Sequence, residues 1–433
     1  MVATKNRAMR PIGDRKYRPK AALSVPRAGP MLAADTAVTM EIRGLMREIR
    51  PLTALRGLAA LLVFMYHYAV LHAPDGGAHV PLRGVWSQGY MGVPVFFVLS
   101  GFLITRLYFD PLRDGAVSVR AFLVKRVARI WPLFLLLAAV QHAVLWRSGR
   151  LPWSADWLVT LSMSQGWFAD LLYGGLPPAW SLTIEETFYV LVPALCLVVD
   201  RLVFAGRRTE ALDGRRTWRL LGVLALVTVA LAGLGALAWR TTAAAGLDWR
   251  GFLAGPDHVW RMTLAGRFPE FAVGVAAAFV HRDGRLLRRI GVAGAGAAAV
   301  VLLAGLGVLL ALKGAAPPGG QYAIHVLVAV AAGLLILTLT VDGHPAARLL
   351  AAAPAVGLGR VSYAFYLLQL SVLADPLAAA ADRCGTWRLP VLFVLLAGLA
   401  TLLFVLVERP ARRAIIARWL PAGEAVAPAA PRG

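Results

Sequence analysis

The 433-residue chain has only two cysteines, Cys196 in an apolar run and Cys384 in a short loop. Neither sits in a paired-cysteine spacing, which argues against a cysteine-built metal site, a disulfide framework and a thiol-based acyl carrier. Charge is scarce as well: 16% of residues are charged, and they fall in clusters between long apolar runs. Acidic residues are the scarcer sign, 23 against 45 basic ones, leaving a net charge of +22. No zinc-knuckle, RNP or helix-turn-helix pattern accompanies that excess, so nucleic acid is not an expected partner. The first fifty residues contain no apolar core of signal-peptide length. They are rich in Arg, Lys and Pro and read as a basic, disordered cytoplasmic arm over 1–50, with Met31, Met40 and Met46 as alternative starts.

Apolar residues, in contrast, make up 59% of the chain. This is the profile of an all-α, polytopic membrane helix bundle whose first partner is the lipid bilayer. Ten spans are expected, at about 53–72, 88–109, 130–146, 180–200, 219–239, 262–280, 290–312, 322–341, 361–380 and 389–407. Each is long enough to cross roughly 30 Å of hydrocarbon. The stretch 157–172 is short and interrupted by Ser162, Ser164, Gln165 and Gly166, and reads as an interfacial or re-entrant segment. With ten spans, 34 of the 45 Lys and Arg residues fall on the side of the N-terminus and nine on the other. Basic residues are retained in cytoplasmic loops, so both termini are expected in the cytoplasm. The chain divides into the arm, a membrane domain over 51–410 and a short cytoplasmic tail over 411–433.

Two polar residues stand out inside the first span, RGLAALLVFMYHY at 56–68. A charge at bilayer depth costs at least ~2.5 kcal/mol on insertion scales. Arg56 and His67 are eleven residues apart, so at 100° per residue they share one helix face, with a rise of roughly 16 Å between them. Arg56 could snorkel to lipid phosphates and His67 could be a hydrogen-bonded packing residue. The shared face favours a common groove. His67 has no Cys or Glu-x-x-His partner, so no metal site is expected. A neutral buried imidazole suits a general base.

Further motifs follow in order: FFVLSGFL at 96–103, KRVARIWP at 125–132, WSLTIEETFY at 180–189, SYAFYL at 362–367 and VERP at 407–410. Together with the Arg and His of the first span, they resemble the acyltransferase-3 family of integral membrane acyltransferases, over about residues 50 to 413. The resemblance implies transfer of an acyl group, acetyl as a rule, from cytoplasmic acyl-CoA to a hydroxyl of a glycan, cell-surface polysaccharide or macrolide. It implies no permanently bound cofactor; acetyl-CoA is a co-substrate. One departure is Gln369, where the family usually has a histidine soon after the Tyr-Leu of the ninth span.

Under that resemblance the motif residues acquire roles. His67 is the expected base, supported by Arg56 and by Glu185, the glutamate of the Trp-Ser-Leu-x-x-Glu motif, which would orient the imidazole. Glu185 and Glu186 point about 100° apart, so only one of them faces His67 well. Arg126 and Arg129 share a helix face, and guanidinium forks suit phosphate oxygens. With Lys125 and Arg56 they would hold the CoA head, although retention of basic residues on the cytoplasmic side would also place them there. Ser100 and Gly101 are small enough for close helix approach or passage of a thin pantetheine arm. Arg267 and Glu270 form an i,i+3 pair, read either as an intrahelical ion pair or as an acceptor-binding site, with Tyr366 lining the groove or packing in the core.

A rival reading is a proton-coupled carrier or flippase, which also buries Arg, His and Glu along one path. The spans show no inverted repeat or matched pair of broken helices, which weakens it. A receptor or scaffold with structural polar contacts is a third reading. Ala- and Gly-rich stretches such as GVAGAGAAAV fit a high-GC bacterial gene, so the expected location is a bacterial inner membrane.

Overall fold

The computed structural model describes residues 48–73, 80–150, 154–207, 212–312 and 318–421. The basic arm up to residue 47, His79, Lys313 and the tail after residue 421 lie outside the described residues. Among the described residues there is no β-strand, only an isolated bridge between Phe168 and Phe252. Ten helices have sixteen residues or more: α1 (Arg50–Tyr66), α2 (Gly92–Arg113), α3 (Val119–Arg147), α4 (Trp180–Val199), α5 (Gly214–Ala244), α6 (Leu264–Arg282), α7 (Gly284–Leu312), α8 (Pro318–Leu339), α9 (Ala353–Leu368) and α10 (Arg388–Leu403). Each overlaps one of the ten expected spans, in the same order.

Among the described residues, seven helical stretches are long and apolar enough to cross a membrane: six contain α1, α2, α4, α5, α6 and α10, and the seventh is Tyr322–Leu339 of α8. A bent pair over Gly284–Gly291 and Ala293–Gly305, within α7, would be an eighth. The other two depart from the expected boundaries. α3 starts at Val119 rather than 130, because Ser118 caps it by accepting from Ala121 N at 3.1 Å. The helical face expected for Arg126 and Arg129 therefore belongs to α3 itself, which begins before the apolar run. α9 is only 16 residues and ends before Gln369, where the expected ninth span continued to 380; a turn intervenes before a separate short helix, Ala374–Asp382. The stretch 157–172 forms the short helix Asp156–Leu161 and two 3-10 turns, seated on α4 by Thr183 Oγ1 donating to the Met163 carbonyl at 2.6 Å. Past α10, a π-helical turn (Phe404–Glu408) leads into an amphipathic helix, Arg409–Trp419, held to α3 by Arg120 donating to the Trp419 carbonyl.

Close crossings between small residues set the core of the bundle. α1 meets α9 where Gly57 faces Gly359; a Cβ on Gly359 would collide with the Thr53 carbonyl. α2 meets α6 through Gly101 and Gly274, each against the other helix's backbone. This is the close approach expected of the small residues in FFVLSGFL. Phe97, Phe188 and Phe271 stack at that crossing, at ring separations of 4.8 and 4.2 Å.

Polar contacts at the two ends agree with the alternation of loops. One end joins Glu48 to Arg360 (2.9 Å), Arg50 to the Ala351 carbonyl and Arg282 to Asp110 (3.0 Å). The Arg360 hydrogen bond holds the Glu48 carboxyl below its ordinary range. Asp283 lies at this end too, its carboxyl held low by the N–H groups of Leu286, Leu212 and Arg285. The opposite end joins Arg250 to Asp156 and Arg388 to the carbonyls of Tyr68 and His72. Segments assigned to one side by charge thus contact one another in space.

Candidate active site

α1 does not end as a regular helix. At His67 it widens into a π turn, His67–Leu71, closed by His72 N donating to the His67 carbonyl at 2.8 Å. Single π turns inside helices recur at functional sites because they redirect side chains and free carbonyls. Here the carbonyls of Tyr68 and His72 each accept from Arg388, at 2.9 Å.

His67 borders a cavity of about 970 Å³, wide enough for a drug-sized or oligosaccharide-sized ligand. Tyr66, Tyr90, Tyr173, Trp180 and Tyr366 supply its aromatic wall, and Arg267 reaches it from α6. Aromatic faces with a few polar groups are a common way to hold a partly apolar ring. A second, narrow cavity of about 50 Å³ lies between Arg56, Ser100, Glu185, Ser362 and Tyr363. The two cavities have Val93 and Tyr366 as common walls. The expected single groove is therefore two spaces that meet at Tyr366, with α1 presenting Arg56 to one and His67 to the other.

The expected Glu185–His67 contact is not formed. Glu185 is one helical turn inward of Trp180 and accepts from Ser100 Oγ and from Tyr189 OH. It belongs to the Arg56 cavity, and Arg56 feels its charge together with those of Arg129 and Glu408. Glu408, from the VERP motif, is 4% exposed. Glu185 lies in the bundle interior, on the wall of the narrow cavity. The imidazole of His67 is oriented instead by Gln369: Nδ1 and Gln369 Oε1 are 3.1 Å apart. Sequence reasoning met Gln369 only as a departure from the family pattern. Nothing in spacing alone pairs residues 67 and 369.

The basic motif on α3 is built into the bundle. Arg126 donates to Tyr108 OH at 3.0 Å, with its guanidinium 5.1 Å from that ring and 5.8 Å from the Tyr189 ring. Its Nε, like that of Arg56, is buried without a protein partner. Lys125 is 3% exposed. Arg129 and Arg412, the latter from the helix after α10, add positive charge to the same region. Cations held this close together, with orphaned donors among them, form a surface suited to phosphate.

On α6, Arg267 and Glu270 make a bidentate ion pair, at 2.8 and 3.1 Å, in which both side chains are almost fully buried. The intrahelical pair expected from the spacing is present, and Arg267 also borders the large cavity, 5.3 Å from the Phe97 ring. Tyr366 OH is 2.9 Å from Ser181 Oγ and donates to the Pro178 carbonyl at 3.2 Å, which pins it between the two cavities. His72 and His325 border the large cavity, although they lie outside every motif. His142 does not; it is buried and bonded to the Ala138 carbonyl and Thr160, a structural residue.

Comparison with known proteins supplies the class. The acyltransferase-3 family model, described as an acyltransferase domain, matches residues 50–409. The chain is 28% identical over 333 residues to acyltransferase MdmB of Streptomyces mycarofaciens, covering 74% of this chain and 78% of that one. A protein of Staphylococcus aureus (strain COL) named "putative O-acetyltransferase" is 27% identical over 36% of this chain and 26% of its own length. Nodulation protein 10 of Rhizobium leguminosarum bv. viciae is 29% identical over 37% of this chain and 47% of its own. No solved structure matches. The chain belongs to the acyltransferase-3 family. It is an O-acyltransferase on a bundle of membrane-type helices.

Proposed function

We propose that the protein moves an acyl group, acetyl in the first instance, from cytoplasmic acyl-CoA to a hydroxyl of a glycan or glycosylated natural product at a bacterial inner membrane, with both termini in the cytoplasm. The observation that carries this reading is the placement of Arg56 and His67. One helix presents a cation to a narrow cavity beside the basic cluster and an imidazole to a wide aromatic cavity at the other end. Donor and acceptor then approach from opposite sides and meet near Tyr366.

In this scheme Arg126, Arg129, Lys125 and Arg56 hold the phosphates of CoA. The narrow cavity has room for only a few waters, so passage of the thioester requires the side chains around Ser100 and Tyr366 to move. His67 takes the proton of the acceptor hydroxyl as its oxygen bonds to the thioester carbonyl carbon. Collapse of the tetrahedral intermediate breaks the C–S bond, and the departing thiolate receives that proton from the imidazolium. Arg267, on the wall of the same cavity, is placed to hold the acceptor.

The test compares wild type with His67→Ala at equal levels in membranes given acetyl-CoA labelled in the acetyl group. Label passes to a glycan or small-molecule fraction with wild type and is lost with the variant. Equal labelling by both would remove His67 from the chemistry. CoA release separates transferase from carrier, because a carrier frees none.

A further inference from the structure

Gln369 ends α9 and is fully buried, with three bonds to α1. Its Nε2 donates to the Ala60 carbonyl at 3.1 Å, its Oε1 faces His67 Nδ1 at 3.1 Å, and its own carbonyl accepts from Tyr68 OH. The amide orientation follows from these contacts. A carbonyl cannot donate, so the group facing Ala60 must be the NH2, and Oε1 must face the imidazole. Oε1 can only accept, so Nδ1 must carry hydrogen. The neutral ring then has its lone pair on Nε2, for which there is no hydrogen bond among the described residues. The turn beyond is also fixed: Val372 N donates to Gln141 Oε1 at 2.7 Å, from α3.

We infer that Gln369 is a positioning residue that selects the Nδ1–H tautomer of His67 and so leaves Nε2 as the base. This rests on the proposed role of His67. A neutral amide does this without a carboxylate, which explains how the site works although Glu185 is engaged elsewhere. A buried amide with no ionisation of its own keeps one tautomer across the working pH range.

The test uses the full chain in detergent or membranes, with three variants. Gln369→Leu keeps the volume and deletes both side-chain bonds. Gln369→Glu restores an acceptor opposite Nδ1. His67→Ala controls for the base. Imidazole 15N shifts, assigned to His67 by their loss in His67→Ala, report the tautomer directly. The expected result is an Nδ1–H signature in wild type, a mixed or Nε2–H signature in Gln369→Leu, and kcat lowered roughly 10- to 100-fold with donor KM unchanged, as for other residues that orient a functional imidazole. Gln369→Glu recovers at least part of kcat and the Nδ1–H signature. A wild-type Nε2–H signature overturns the inference. So does Gln369→Leu with kcat within twofold of wild type while His67→Ala is inactive. An active His67→Ala would instead remove the reading on which the inference stands.

Discussion

His67 and the Arg267–Glu270 pair make different demands on the fold, and mutation separates them. His67 borders the cavity, the Tyr66 ring and the Gln369 amide, so its truncation removes chemistry and only a little packing. His67→Ala is expected to lower kcat by roughly 10²- to 10⁴-fold, the usual contribution of a positioned base, with thermal stability nearly unchanged. Arg267 and Glu270 are both almost fully buried, so deleting one leaves an uncompensated charge. Glu270→Ala should destabilise by about 3–5 kcal/mol, visible as a lower melting temperature in detergent. The double variant Arg267→Met with Glu270→Leu should recover most of that loss. If Arg267 also holds the acceptor, the double variant is folded yet has a raised acceptor KM; an unchanged KM would make the pair purely structural.

Helices and their order were legible in the sequence, because apolar runs and charge clusters are local signals. Their ends were less so. The third span is expected from residue 130, where the apolar run begins, whereas Ser118 caps α3 well before it. α9 stops early because Gln369 is drawn to Ala60 and His67 of α1, a long-range contact that no periodicity reports. For the same reason the sequence points Glu185 toward His67 and not toward Ser100: its depth on α4 relative to Ser100 depends on how α2 and α4 cross. The crossings themselves can be tested. Gly101→Leu would drive a side chain into the Phe271 backbone and should cost about 1–3 kcal/mol or abolish insertion, measured as folded yield. At the start of α1, the Glu48–Arg360 pair is half exposed and should matter little. Because the folded Glu48 carboxyl is below its ordinary range, its stabilisation is present at neutral pH and lost as pH falls through the folded value. Glu48→Gln should therefore cost about 0.5 kcal/mol at pH 7 and almost nothing at pH 3, by paired denaturation curves.

For the whole molecule, the decisive property is sidedness, because the proposed reaction needs CoA at one end of the bundle and the acceptor at the other. The two cysteines provide a probe. Cys384 is exposed in the loop between the short helix Ala374–Asp382 and α10, at the same end as Arg388 and His67, whereas Cys196 is buried in α4. If the basic ends are cytoplasmic, Cys384 faces outward, and a membrane-impermeant maleimide added to intact cells should label wild type once and Cys384→Ser not at all. Labelling that needs permeabilised cells would put the His67 cavity in the cytoplasm and the cluster of Arg56, Arg126 and Arg129 outside. Cytoplasmic acyl-CoA could not then reach the phosphate-binding surface, and the two-sided transfer would fail even with every residue of the site in place.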